Sequence, residues 1–557
     1  MKKRTKILLT IGLFIVIGFF AFSLFKNISY PLLWNDEAST AMFGKRVIEY
    51  GYPKANDGKN FLYLFNDVNH DVGVRNGGDV YIAEGWTQYY LAAIGEFFAK
   101  QTDNIYTKTS RMRTPFALAG FLATIIFGLT ISSFFKENRW EALLIFFLFE
   151  LASISLVLHL REVRYYSLVL LFSAVLINVY LKYVISKTLS YKYYLGIISL
   201  FIVLLFHTHY PIALVFLVTF GLHIIVNSYL VCEKKLAVFT HNFLKLASPL
   251  FISLIFIIPS LFYFKTFIMV KMLTAESVLD FNNYFNNIGV ALSFFTRFEF
   301  LYLAILVKSI LLIFLSLKKN IVALEDKVIL RVSNFLTLFF GIYILVIART
   351  VFVFERYLIA LQPVLVGIIL LDILLCWLII SKTLVKDSQK KKKTLQIFTS
   401  FVLLGIFLNV IPQIGSIKNH FYELTHQYQG PLDFAIPYIQ EEYKDPTKII
   451  IATNYEENSY MYYLGSKTII GYVGNNLEED SKLEPDVIVL RKYFIYDQKF
   501  TDIFNSFFDN QEYQKVSFPI YDYPFNNIPE LNFNVSHLYK TKIATQDSEK
   551  LDLFFRK

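Results

Sequence analysis

The sequence predicts an α-helical polytopic membrane protein of about eleven transmembrane helices. Its N-terminus is expected in the cytoplasm, and it ends in a soluble extracytoplasmic α/β domain. Three observations predict this. Of 557 residues, 55% are hydrophobic and 18% aromatic, and the mean hydropathy of +0.47 is well above that of a soluble chain this long. Apolar runs of about 20 residues, the length that crosses a bilayer, recur through the first three quarters of the chain. These runs are continuous rather than alternating, which makes them helices and not barrel strands. The net charge of +10 is not a nucleic-acid footprint, because the basic residues sit in short clusters between the apolar runs.

The spans fall at about 7–25, 114–135, 141–160, 165–186, 194–206, 210–231, 246–264, 299–317, 333–348, 357–381 and 394–413. The first follows Lys2, Lys3, Arg4 and Lys6, as a signal peptide would. It is long for one, and no small-residue cleavage site follows, so it is expected to stay as a spanning helix. With eleven spans, six basic clusters share one side. They are the N-terminal one, Lys136 and Arg139, Lys187 and Lys192, Lys234 and Lys235, Lys318 to Arg331, and Lys382 to Lys393. The positive-inside rule makes that side the cytoplasm. The other side receives a large loop at 26–113, links near 161–164 and 207–210, the loop 265–298, the link 349–356 and the tail.

The expected division is a transmembrane unit at 1–413 and a tail domain at 414–557. In the tail, strand-like runs at Lys448–Thr453, Lys467–Tyr472 and Asp486–Arg491 are separated by helix-compatible stretches such as Glu456–Tyr463. That pattern reads as a small α/β domain, long enough to bury its own core. Cys232 and Cys376 have no neighbouring partner and no C-x-x-C occurs, so neither a disulfide framework nor a zinc–thiolate site is expected.

Ionisable groups at a membrane edge are costly unless paired or functional, and five sets gather on the outer side. Trp34-Asn35-Asp36-Glu37-Ala38 places two carboxylates soon after the first span. They could act as a general base or bind a metal, or Asp36 could simply cap a helix from about Glu37 to Tyr50. Glu84-Gly85-Trp86-Thr87-Gln88-Tyr89-Tyr90 sets an acid among rings that could stack on a sugar or form an interfacial belt. Arg161-Glu162-Val163-Arg164-Tyr165-Tyr166 puts two arginines where the positive-inside rule disfavours them. A phosphate partner explains them, as does neutralisation by Glu162. His207 and His209 could hold a metal or a phosphate, or be plain interfacial groups, and Arg349 and Arg356-Tyr357 again place cations on the outer side. Two carboxylate sites and two arginine sites on one side describe acid/base chemistry with an anionic leaving group.

These motifs, in this order and on this side, resemble the GT-C type glycosyltransferases. The branch is that of the protein O-mannosyltransferases and the lipid A aminoarabinose transferase. Asp36-Glu37 resembles the family's Asp-Glu pair after the first span. Glu84 to Tyr90 resembles its Glu-Lys-Pro-Pro-Leu-Tyr-Tyr stretch but lacks both prolines, and Asn56 to Gly78 is unusually polar. Arg113-Thr114-Pro115, the Arg161/Arg164/Tyr166 link, and Arg356-Tyr357 with Pro363 match further family motifs. The resemblance covers most of 1–413; the tail shares only the habit of ending in an outer domain.

The resemblance implies transfer of a sugar from a polyprenyl-phosphate carrier to an outer acceptor, which could be protein, lipid or wall polymer, with inversion. Asp36 is then the base, with Glu37 and Glu84 as further catalytic candidates. Arg161, Arg164, Tyr166, Arg356, Tyr357 and Arg113 are candidates for the donor phosphate, helped by His207, His209 or Arg349. A divalent metal is not required if the arginines carry the phosphate charge, although Asp36-Glu37 with a histidine could bind one. A ligase using a lipid diphosphate shares this outer-side geometry. A flippase would spread charge along the spans and often repeat its halves, and neither is seen.

Overall fold

The computed structural model describes residues 3–62, 73–75, 77, 79–231, 236–268, 280–317, 326–350, 353–384, 388–472, 474, 476–492, 498–523 and 538–557. Cys232, Lys234, Lys235, Lys318, Lys319, Lys386 and much of the polar stretch within 56–78 lie outside the described residues.

Among the described residues, eight helices are long and apolar enough to cross a membrane, or nine if a pair bent by 94° at its break counts as one span. About eleven spans were expected, and the difference has local causes. The expected span 141–160 is broken at Ser153 into α5 (Arg139–Ala152) and α6 (Ile154–Leu160). α5 follows α4 (Ile105–Ser132) across a six-residue 3₁₀ segment, Ser133–Asn138, that kinks at Lys136 (φ 47), and the two count as one apolar stretch, Ile105–Ala152. α8 (Tyr191–Phe206) is 16 residues long, short for a span. The span expected at 299–317 is one arm of the bent pair, α11 (Phe281–Phe298) and α12 (Leu301–Leu317). The remaining long helices are α1 (Lys3–Phe25), α7 (Tyr166–Tyr180), α9 (Tyr210–Val231), α10 (Leu236–Tyr263), α13 (Lys327–Ile347), α14 (Leu361–Ile379) and α15 (Ser388–Val410). The last apolar run continues through α16 (Ile414–Thr425).

Non-helical backbone at membrane depth needs internal partners, and polar side chains supply them. Glu299, between α11 and α12, accepts from Ser153 Oγ at 2.7 Å and from Gln362 Nε2 at 2.9 Å, so one buried carboxylate ties both helix breaks to α14. Lower in the bundle, Lys308 Nζ of α12 lies 2.9 Å from Asp372 Oδ2 of α14, and Ser333 Oγ of α13 donates to Asp372 Oδ1 at 2.5 Å.

The loop after α1 is folded. α2 (Asn35–Tyr50) ends where Gly51, at φ 85, returns its N–H to Val47 O at 2.9 Å. β1 (Val74–Arg75) pairs antiparallel with β2 (Val80–Tyr81), and α3 (Thr87–Ala99) lies against α2. Gly44 makes that approach feasible, since a Cβ there would stand 2.7 Å from the Ala92 backbone. Buried Arg46 holds the following turn by donating to Ala55 O at 2.5 Å and Asn60 O at 2.9 Å.

After α17 (Leu432–Glu442), the tail forms a five-stranded sheet ordered β4-β3-β5-β7-β6. β3 (Ile450–Thr453), β4 (Lys467–Ile470) and β5 (Val487–Val489) are parallel. β6 (Tyr513–Tyr521) and β7 (Lys550–Arg556) join antiparallel on one side. α18 (Glu457–Leu464) crosses over from β3 to β4 and faces the outer loop. A single apolar cluster contains Leu33 and Phe43 of the loop, Phe116 of α4, and Ile436, Tyr460 and Leu551 of the tail. Loop, bundle end and tail therefore share one core.

Lys308→Met should cost about 3–5 kcal/mol of stability by stranding the buried Asp372 charge. Lys308→Met/Asp372→Leu should recover most of it. Unfolding of both variants in mild detergent checks this.

Candidate active site

The sequence-predicted residues fall into two sets, one saturated and one open. Glu37, in the first turn of α2, is completely buried. Arg113 of α4 donates to it twice, from Nε to Oε1 at 2.9 Å and from Nη2 to Oε2 at 2.5 Å. The Val163 N–H adds a third bond to Oε1 at 2.9 Å. Arg113 spends its Nη1 on Ile28 O at 3.0 Å and Pro31 O at 2.7 Å. Glu37, expected as a catalytic acid, and Arg113, expected as a phosphate ligand, are both buried and spend these bonds on each other and on the backbone. They form a strut joining α2, α4 and the 161–164 link.

Asp36 is also helical rather than capping, since the capping position is Trp34 and makes no side-chain cap bond. One residue before Glu37, it is rotated about 100° around the helix and its side chain is 33% exposed. Its Oδ2 lies 3.7 Å from Arg164 Nη2. The same nitrogen is 3.3 Å from Glu84 Oε1, and Arg164 Nη1 donates to Thr40 Oγ1 at 3.2 Å. Glu84 Oε2 accepts from Tyr89 OH at 2.8 Å and from Gln88 Nε2 at 2.9 Å. Burial alone would raise the Glu84 pKa, but Arg164 and these hydrogen bonds outweigh it and hold the carboxyl below 4.5. Arg164 is thus shared between the carboxyl groups of Asp36 and Glu84.

Around this centre stand Arg356, whose guanidinium lies 4.3 Å from the Phe354 ring and 5.4 Å from the Trp34 ring, and Tyr166. The Tyr166 ring packs 4.7 Å from Tyr165, and its buried hydroxyl has no hydrogen-bond partner among the described residues. The charges of Arg356, Arg164 and Asp36 all reach it. Glu162 does not neutralise an arginine by an ion pair. Its oxygens accept no hydrogen bond among the described residues. Burial and Glu37 push its pKa well up, against the pull of Arg356, Arg113 and Arg164.

The helpers separate. His209 lies 4.7 Å from Tyr165 and 5.9 Å from Tyr357, ring to ring. Burial lowers its pKa from 6.5 to about 4, Glu84 opposing and Arg164 assisting. It is therefore a neutral neighbour of the site and not a cation for phosphate at neutral pH. Tyr357 is anchored by its carbonyl, which accepts from Tyr343 OH at 2.6 Å. His207 turns away, with Nε2 3.1 Å from Ser260 Oγ and its carbonyl capping Thr87 N at 3.1 Å. Gly85 is required there, because a Cβ would stand 2.1 Å from that carbonyl oxygen. Arg161 donates to Lys26 O at 2.9 Å and faces Glu423 and Glu37 rather than Asp36. Arg349 stacks 3.9 Å over Tyr284 of α11. Arg161, His207 and Arg349 thus make these contacts away from the Asp36–Arg164–Glu84 centre. Among the described residues, no three His, Cys, Asp or Glu side chains converge as metal ligands.

The tail supplies what the sequence reading lacked. Asn458 of α18 donates from Nδ2 to Asn35 Oδ1 at 2.9 Å, and Ser459 Oγ donates to Leu33 O at 2.8 Å. Tyr463 OH accepts from Leu33 N at 3.0 Å. The turn that carries Asp36 is therefore held by the tail, and the Asp36 charge reaches Tyr455, Glu457 and Tyr472. Nothing in the sequence signals pairings 423 residues apart.

With this geometry the chain can be compared with known proteins. ArnT from Cupriavidus metallidurans in the apo state matches with a TM-score of 0.50 and 11% identity, over 98% of this chain and 97% of that one. ArnT bound to undecaprenyl phosphate matches equally well over 100% and 98%. The Archaeoglobus fulgidus oligosaccharyltransferase AglB, in complex with an inhibitory peptide and a dolichol-phosphate, matches with a TM-score of 0.50 and 11% identity over 88% and 70%. The fold is of GT-C type. No family profile and no curated protein matches the sequence. The GT-C expectation is met at the level of fold, with a helical membrane bundle and a C-terminal sheet domain.

Two predictions follow from the geometry. Glu37→Gln, which strands the buried Arg113, should cost about 3–5 kcal/mol, while Asp36→Asn should leave the melting temperature unchanged; thermal unfolding in detergent checks both. The unfolded chain takes up the His209 proton near pH 6.5 and the folded chain only near 4, so stability falls as pH drops across that window. His209→Gln should flatten that part of the Tm–pH curve.

Proposed function

We propose that the chain is a glycosyltransferase that moves a monosaccharide from a polyprenyl-phosphate carrier to an acceptor outside the cytoplasm, with inversion. The observation that carries this reading is Arg164 held between Asp36 and Glu84, at 3.7 and 3.3 Å, at one end of a membrane bundle with a GT-C fold. On this reading the bundle and its outer loop form the catalytic unit, the tail from about 414 lies outside the cytoplasm, and the protein resides in the plasma membrane.

The chemistry follows from the charges. An acceptor hydroxyl is a weak nucleophile and needs a base at the moment of attack. Asp36 takes its proton as the acceptor oxygen bonds to the anomeric carbon. The bond from that carbon to the phosphate oxygen breaks, and the lipid phosphate leaves with the electron pair. Arg164 and Arg356 meet the charge that develops on it. Glu84 positions Arg164. Because the arginines can carry the phosphate charge, no step here needs a metal.

The test is donor consumption. Purified protein in lipid, given a panel of polyprenyl-phosphate monosaccharides and cell-envelope extract, should release free polyprenyl phosphate, followed by mass spectrometry. Asp36→Asn should lower the rate about 10²-fold or more, and Arg164→Ala by a comparable factor. Full activity in Asp36→Asn would remove the base assignment. Release only from lipid diphosphates would favour oligosaccharide transfer, the reading that the AglB likeness supports.

A further inference from the structure

Both α4 and α7 start beside the site and run to the opposite end of the bundle. Ser133 follows Arg113 by about 30 Å of helix, and Lys182 follows Tyr166 by about 24 Å. At that far end the structure holds a groove of about 480 Å³, well apart from the site described above. Its walls are Ile126 and Leu129 of α4 with Val175 and Val179 of α7, and its mouth is Ser133, Asn178, Arg139 and Lys182.

We propose that this groove binds the phosphate of an anionic membrane lipid, with an acyl chain against the apolar wall. Arg139 and Lys182 form no ion pair among the described residues, and the Arg139 Nε is buried without a hydrogen-bond partner. A buried guanidinium N–H at the mouth of an apolar groove calls for an anionic acceptor. Arg139 also opens α5, so the positive end of that helix faces the same mouth. Asn178 uses one amide N–H on Thr130 and keeps the other. A π-helical turn, Leu181–Ile185, widens the end of α7 where Lys182 emerges. The walls belong to helices apolar enough to span a bilayer, so the ligand that reaches them is a lipid with its head at the membrane surface. Basic pockets between spanning helices are known to take such heads.

The test is native mass spectrometry of the full chain from micelles doped equally with phosphatidylglycerol and phosphatidylcholine. The wild type should retain phosphatidylglycerol preferentially. Arg139→Gln/Lys182→Gln should lower that preference roughly tenfold or more. Lys182→Arg, which keeps the charge and leaves the Arg139 guanidinium in place, should retain it. Excess inorganic phosphate should not displace the lipid. An unchanged preference in the double Gln variant, loss of preference in the charge-preserving variant, or displacement by inorganic phosphate would each overturn the proposal.

Discussion

The buried pair of Glu37 and Arg113 fixes the geometry on which everything else depends. Two charges leave water here, a loss that only full pairing and hydrogen bonding can offset. That condition is met, because Glu37 takes three N–H donors and Arg113 gives its remaining face to two carbonyls. Two site residues lie one position from the groups bonded at Glu37. Asp36 precedes Glu37, and Arg164 follows Val163. Holding the strut therefore sets the distance between acid and cation without either one being pinned. The tail grips the same turn from the other side through Asn35 and Leu33. A variant that loosened the tail would move Asp36 as surely as one that touched the membrane helices.

Much of this was legible in the sequence, and the unreadable parts have physical reasons. Long apolar runs announce helices because lipid offers the backbone no alternative partner, and outer-side charges stand out because they are costly there. The three parallel strands and α18 could be read from local pattern. The β6–β7 addition escaped because Tyr513–Tyr521 alternates only weakly between buried and exposed. The breaks at Ser153 and at Glu299 escaped because the residues that stabilise them come from three different helices. Asp36 and Glu37 are chemically alike and adjacent, so sequence alone could not divide them. Rotation about one helix axis does, by sending Glu37 into the core and Asp36 to a partly open surface.

The same division runs through the arginines and shows which of them can respond to a ligand. Arg113 sits 2.5–2.9 Å from Glu37 in two parallel bonds, the short charge-assisted geometry that is costly to break. Arg161 is committed to a carbonyl at 2.9 Å. Arg164 instead spans two carboxylates at 3.3 and 3.7 Å, beyond or at the edge of hydrogen-bond range. A divided, long-range attachment loses little when a phosphate arrives, because the guanidinium can shorten one contact while lengthening another. With His209 neutral, the charged groups grouped at this centre include Arg164 and Arg356 beside the carboxyl groups of Asp36 and Glu84. On the proposed reading, a lipid phosphate would bring further negative charge there as its bond to the sugar breaks. Arg164, which already bridges two carboxyl groups at 3.3 and 3.7 Å, is on that reading placed to meet it.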